Sequence, residues 1–168
     1  MATVPYLQVV DTTIQIALAP SQIDQPLQAV KAQLNNMLFK YHDRIGGIPL
    51  CYGDFLFSEG KKYGRFYADH PWVHIDINCE LTVFRPSLGD KIVGKVTKVS
   101  ESNVALLIFA LFNANISNEE LLKKQYKYNA GTQSWNSKNV TIKEGDSIEF
   151  VVNSYQYANG VINILGSL

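Results

Sequence analysis

One long helical stripe, set among segments that read as β-strand, constrains this chain more than any other feature. Apolar residues recur at Leu27, Val30, Leu34, Met37, Leu38 and Tyr41, while Lys31, Gln33, Asn35 and Lys40 lie off that line. Pro26 suits a first helical turn, Asp24 is placed to cap it, and Gly46-Gly47 is the expected stop. The pattern is too short for a coiled-coil seam and predicts a helix lying on a sheet. Before it, Leu7 to Ala19 is rich in Val, Ile and Thr and ends at Pro20, which reads as a strand. After it, strand-like segments run over Ile48 to Phe57, Tyr63 to Ala68 and Trp72 to Phe84. Ser58-Glu59-Gly60-Lys61 between the first two reads as a hairpin tip, and Asp69-His70-Pro71 separates the second from the third. Strand, helix and three strands predict an α+β domain, an antiparallel sheet with one main helix, over residues 1–84.

Arg85-Pro86-Ser87-Leu88-Gly89-Asp90 reads as a junction. Beyond it Ile92, Val93, Val96 and Val99 alternate with Gly94, Lys95 and Lys98, and Ser100 to Asn103 turns the chain into the apolar run Val104 to Phe112. Asn113 to Ile116 continues it as a short strand or loop. Ser117-Asn118-Glu119-Glu120 matches a capping box before a short helix with Leu121 and Leu122. A strand beginning at Tyr126-Lys127-Tyr128, a polar loop over Gly131 to Asn139, and strands over Ser147 to Tyr155 and Val161 to Leu165 complete the chain. Short strands with one small helix after the third predict an all-β OB-fold barrel over residues 85–168. Gly89-Asp90 and Gly145-Asp146 each precede a strand, an echo expected where a barrel bends.

Hydrophobic residues at 46% supply enough apolar material for real cores, which argues against disorder. Fifteen basic residues balance fifteen acidic ones. Phosphate neutralisation supplies most non-specific nucleic-acid affinity, so a chain without basic surplus is expected to touch RNA weakly, locally or within a larger assembly. Cys51 and Cys79 lack zinc-finger partners and read as small buried hydrophobes in a reducing compartment. No signal-peptide pattern opens the sequence and no apolar run approaches the roughly 18 residues of a membrane span, so an intracellular chain with no membrane contact is expected.

Catalytic chemistry finds little support. His70 and His74 are four apart, but Pro71 and the strand context prevent a helical metal pair. Asp69, Asp76 and Cys79 lie near them in sequence, yet structural polar positions at strand ends are the better reading. Nucleophile-elbow, phosphate-loop and zinc-protease patterns are all missing. No catalytic residue, no metal and no cofactor is expected.

Three stretches carry a family likeness: Gly46-Gly47-Ile48-Pro49-Leu50, then Tyr63-Gly64-Arg65-Phe66-Tyr67-Ala68-Asp69-His70-Pro71-Trp72-Val73-His74-Ile75-Asp76, then Leu81 to Val96 with Phe84-Arg85-Pro86 before Gly89-Asp90. They resemble the larger stalk subunits of archaeal and nuclear RNA polymerases. Asp69-His70-Pro71-Trp72-Val73-His74 and Phe112-Asn113-Ala114-Asn115-Ile116 resemble the polymerase I member in particular. The resemblance covers residues 46–116. It implies a tip domain that plugs into the polymerase core, a barrel that projects outward, and no active site. By position Lys62, Tyr63, Gly64, Arg65 and Phe66 match the core-docking hairpin, with Tyr63 and Phe66 as anchors and Arg65 pairing to a core acid or carbonyl. The implied partners are polymerase I core subunits, a smaller stalk partner, the polymerase I initiation factor and nascent single-stranded RNA, in the nucleus and nucleolus.

An RNA or partner face is expected on the barrel from Lys91, Lys95 and Lys98, with Tyr126, Tyr128 and Trp135 as exposed aromatic platforms and Phe109 and Phe112 in the core. Ala110-Leu111-Phe112 lacks a glycine that would let a base approach, which points to weak binding. Two rival readings are a stalk subunit of another nuclear or archaeal polymerase and a free-standing OB-fold RNA-binding protein; zero net charge speaks against the second.

Overall fold

The computed structural model describes residues 4–58, 64–138, 140–158 and 160–168. The chain forms two compact units, Met1–Arg85 and Pro86–Leu168.

The first unit runs β1 (Leu7–Leu18), α1 (Pro26–Met37), β2 (Ile48–Phe57), β3 (Arg65–Tyr67) and β4 (His70–Phe84). β4 is the spine of the sheet. One of its edges holds β1 antiparallel, from Leu7 opposite Phe84 to Leu18 opposite Val73; the other holds β2 and then β3, also antiparallel. Alternation along β1 sends Ile16 and Leu18 inward, where they meet Ile77, Cys79, Leu81 and Val83 of β4 and Ala29, Val30 and Leu34 of the helix. Arg85 ties the unit off: Nε donates to the Gly46 carbonyl at 2.9 Å, Nη1 to Gln8 Oε1 at 2.8 Å, and Nη2 to the Ile45 carbonyl. That ties the arginine of Phe84-Arg85-Pro86 to the first unit's own fold.

The helix departs from its sequence pattern at both ends. Gln25 is the N-cap and makes no side-chain cap bond, so Asp24 does not cap; Leu27 is 54% exposed and off the core. The helix also stops at Met37, well before Gly46-Gly47. Leu38 is extended and Phe39 turns left-handed at φ 63°, where its N–H donates to the Pro49 carbonyl at 2.9 Å. This bond to β2 replaces the next intrahelical one, a tertiary override of the periodic pattern. Gly46 and Gly47 belong instead to a turn in which His42 N–H donates to Gly47 O at 3.0 Å.

In the second unit β5 (Lys91–Val99), β6 (Asn103–Ile108), β7 (Phe112–Ser117), β11 (Ser147–Ala158) and β12 (Val161–Ser167) close a five-stranded barrel. β7 and β12 pair parallel, from Asn113 opposite Asn163 to Ile116 opposite Gly166; the other pairings are antiparallel. Between β7 and β11 lie α2 (Asn118–Lys123) and a small sheet of β8 (Lys127–Asn129), β9 (Ser134–Asn136) and β10 (Thr141–Ile142). Ser117 caps α2 by accepting from Glu120 N–H. The two Gly-Asp turns share one geometry: Asp90 Oδ2 accepts from Ser87 N–H at 2.8 Å and Asp146 Oδ2 from Lys143 N–H at 2.9 Å.

Two expectations for this unit are corrected. The apolar run Val104 to Phe112 is not one strand: Ile108, Phe109, Ala110 and Leu111 form a tight turn with φ 52° at Phe109 and 58° at Ala110. Phe112 is core, but Phe109 stands 44% exposed at the turn. The loop expected over Gly131 to Asn139 contains β9, which runs into the interior.

The barrel closes around Phe150, and its ring occupies the space a side chain at position 166 would need. A Cβ there would overlap the ring and lie 2.8 Å from the Val151 carbonyl. Gly166→Ala is expected to destabilise the chain by about 1–3 kcal/mol, read as a lower urea midpoint. An unchanged midpoint would contradict this packing.

Candidate docking and nucleic-acid interface

The hairpin between β2 and β4 is the first sequence-predicted site. Lys62 and Tyr63 lie outside the described residues. Gly64 runs so close to β4 that a Cβ would overlap Val73 and lie 3.4 Å from Ile75 Cγ2, so its lack of a side chain is a packing requirement. Phe66 is 68% exposed. Arg65 is already engaged within the chain: its guanidinium donates to Asp76 Oδ2 on β4, and Asp76 is buried. Removing Arg65 would uncover a buried carboxylate, so this side chain also serves the first unit's own fold.

Phe66 has company that sequence reasoning missed. Leu56, Phe57, Tyr67 and Trp72, from the end of β2, from β3 and from the start of β4, are all at least 43% exposed. β-strand alternation ordinarily hides every second large side chain; here large apolar groups stay in solvent at one end of the sheet. By register Phe57 and Phe66 share the helix side of the sheet with Ile77 and Val73, while Leu56 faces the other side with Asn78, so apolar groups are exposed on both sides of this sheet end. The signal was present in the aromatic content of residues 55–72, but only burial separates anchors from core.

Tyr67, His70 and His74 pack against one another. Tyr67 meets His74 at a ring-centroid distance of 4.8 Å, and the two imidazoles lie 5.0 Å apart. Cys79 belongs to the opposite, helix-packed side of β4, where burial raises its thiol pKa and keeps it protonated. Among the described residues no three acid, histidine or cysteine groups gather as a metal site.

On the barrel, Lys91, Lys95 and Lys98 are exposed on β5. A bulge between Val96 and Lys98 breaks the alternation, so Thr97 and Lys98 both face outward. Glu149 lies across from Val93, between Lys91 and Lys95, and tempers the positive row. The aromatic half of the predicted face is corrected. Trp135 is 2% exposed, its Nε1–H donates to the Ser100 carbonyl at 2.9 Å, and the Tyr128 ring packs on it at 5.5 Å. It is a satisfied core tryptophan that fastens the small sheet to the β5–β6 turn, and a ring so placed cannot stack on a base. Tyr126 and Tyr128 are half-buried.

Two family models match the chain. One, described as the RPA43 OB domain in RNA Pol I, covers residues 86–168. The other, an SHS2 domain found in the N terminus of Rpb7p/Rpc25p/MJ0397, covers residues 13–71. Among curated proteins, DNA-directed RNA polymerase I subunit rpa43 of Schizosaccharomyces pombe is 32% identical over 97% of this chain and 95% of its own length. The chain belongs to the RPA43 family. Relatives of that name in Homo sapiens and Danio rerio are 30% and 29% identical over 91% of this chain, but only 42% and 36% of their own length is matched. The resemblance to the polymerase I member read from residues 46–116 is thereby borne out.

Within the RPA43 family the OB match coincides with the closed barrel, so Lys91, Lys95 and Lys98 sit on its first strand. The SHS2 match takes in α1, β2 and β3, and with them the exposed Phe57, Phe66 and Tyr67.

Proposed function

We propose that this RPA43-family chain is a non-catalytic stalk subunit of RNA polymerase I, docking on the polymerase core through the β2–β3–β4 end of its first unit. The carrying observation is that Leu56, Phe57, Phe66, Tyr67 and Trp72, all at this end of the sheet, are exposed in a chain with ample core-forming material. Large aromatic side chains are the residues from which interfaces draw most of their energy. The first unit's helix and sheet carry a smaller stalk partner, and the chain presents a surface to the polymerase I initiation factor. Such a subunit works in the nucleus, at the nucleolar genes that polymerase I transcribes. The barrel's three exposed lysines support a weak contact with nascent single-stranded RNA, since a balanced net charge and a buried Trp135 leave little else for it to use.

Recovery of core subunits by a tagged chain tests the reading. The Tyr63→Ala, Phe66→Ala double variant is expected to lose on the order of 2 kcal/mol per central anchor, enough to empty the pull-down at moderate dilution. Unchanged recovery would remove the docking claim.

A further inference from the structure

A buried polar atom without a partner needs a physical reason. Among the described residues two side-chain atoms are in that state, His70 Nδ1 and His74 Nε2. Both residues lie on β4, four positions apart, which in a regular strand is a separation of about 13 Å. Their rings nevertheless stand 5.0 Å apart. The register explains the approach. Arg65 pairs with His74 and Phe66 with Val73, but Tyr67 pairs with His70, so Pro71 and Trp72 are extra residues on β4. Both are exposed, and the bulge they form folds His70 back toward His74. The Tyr67 ring packs against both imidazoles, at 4.8 Å from His74 and 5.7 Å from His70. Pro71, which excludes a helical histidine pair, helps to build this one.

A neutral imidazole has one N–H and one lone-pair nitrogen, and either is costly when shut away from water with nothing to bond. The two rings do not bond to each other. One cation would satisfy both nitrogens at once, and imidazole suits the late transition metals. Around tetrahedral zinc each Zn–N bond is about 2.0–2.1 Å, which places the centroids of two ligating rings about 5 Å apart.

We propose that His70 Nδ1 and His74 Nε2 together hold one zinc ion, its remaining coordination positions open to water. No third acid, histidine or cysteine completes the set among the described residues, so the site fills at micromolar rather than nanomolar zinc. Pro71 and Trp72 lie between the two ligands. Zinc therefore clamps the bulge and fixes Trp72, one of the exposed aromatic residues at this end of the sheet. The site goes beyond the docking reading and stands without it.

Isothermal titration of the full chain with zinc chloride is the test. One ion is expected to bind in the micromolar range, and tryptophan fluorescence should change in parallel, reporting Trp72 because Trp135 is hidden in the second unit. Magnesium, which prefers oxygen ligands, should move neither signal. His70→Phe and His74→Phe keep a ring against Tyr67 and remove the unpartnered nitrogen. Each should melt no lower than the unaltered chain without zinc, and bind zinc at least about tenfold more weakly. His42→Gln is the control, since His42 Nε2 is already bonded to the Met37 carbonyl at 2.9 Å; its zinc affinity should not change. In the unaltered chain, the imidazole NMR signals of His70 and His74 should shift with zinc while those of His42 stay. Absence of binding, full affinity in either Phe variant, or zinc binding that leaves the His70 and His74 signals unmoved would overturn the proposal. The assay contains no polymerase, so its failure and that of the core pull-down are separate results.

Discussion

Trp135→Ala is expected to lower the unfolding free energy by about 3–5 kcal/mol, the largest stability effect of any substitution considered for this chain. Three losses add. The indole is 2% exposed, so its removal leaves a cavity the small sheet must collapse into. Its Nε1–H no longer satisfies the Ser100 carbonyl, and Tyr128 loses the ring it packs against. Trp135→Phe separates these terms in part, since it keeps one six-membered ring while dropping the hydrogen bond and some buried volume, for about 1–3 kcal/mol. Urea unfolding followed by circular dichroism measures both. If the alanine variant shifts by under about 1 kcal/mol, Trp135 is not the fastener described here.

Phe66→Asp should do the reverse: leave the fold alone and abolish assembly. Phe66 is 68% exposed, so its replacement should move stability by no more than about 0.5 kcal/mol. In a complex, however, a carboxylate would stand where an apolar pocket expects an aromatic ring, and an unpaired charge buried at an interface costs several kcal/mol. Core recovery should fall by more than about a hundredfold while the melting temperature holds. A variant that melts early would make Phe66 a structural residue; one that assembles normally would place the docking surface elsewhere.

Much of this was legible beforehand, because period and punctuation are local properties. The alternation of Ile14, Ile16 and Leu18 marks a strand, Pro26 marks a helix start, and Gly89-Asp90 and Gly145-Asp146 mark turns wherever they occur. The family likeness was carried by other local stretches, among them Asp69 to His74 and Phe84-Arg85-Pro86 before Gly89-Asp90. The candidate site was less legible. Trp135, flanked by polar residues, looked like a surface ring; Phe109, inside an apolar run, looked like core; both assignments reversed. Arg65 looked free for a partner, yet Asp76 waits eleven positions along the chain and across a strand pairing.

What the residues determined alone was the order of elements, the junction near Arg85 and membership in a family, since each depends on neighbours in the chain. What the tertiary structure decided was which side chains meet water: that Trp135 is hidden, that Phe66 and Trp72 are not, and that the helix ends at Met37 because Phe39 bonds to β2. Burial and pairing are set by segments distant in sequence, and no local pattern encodes them.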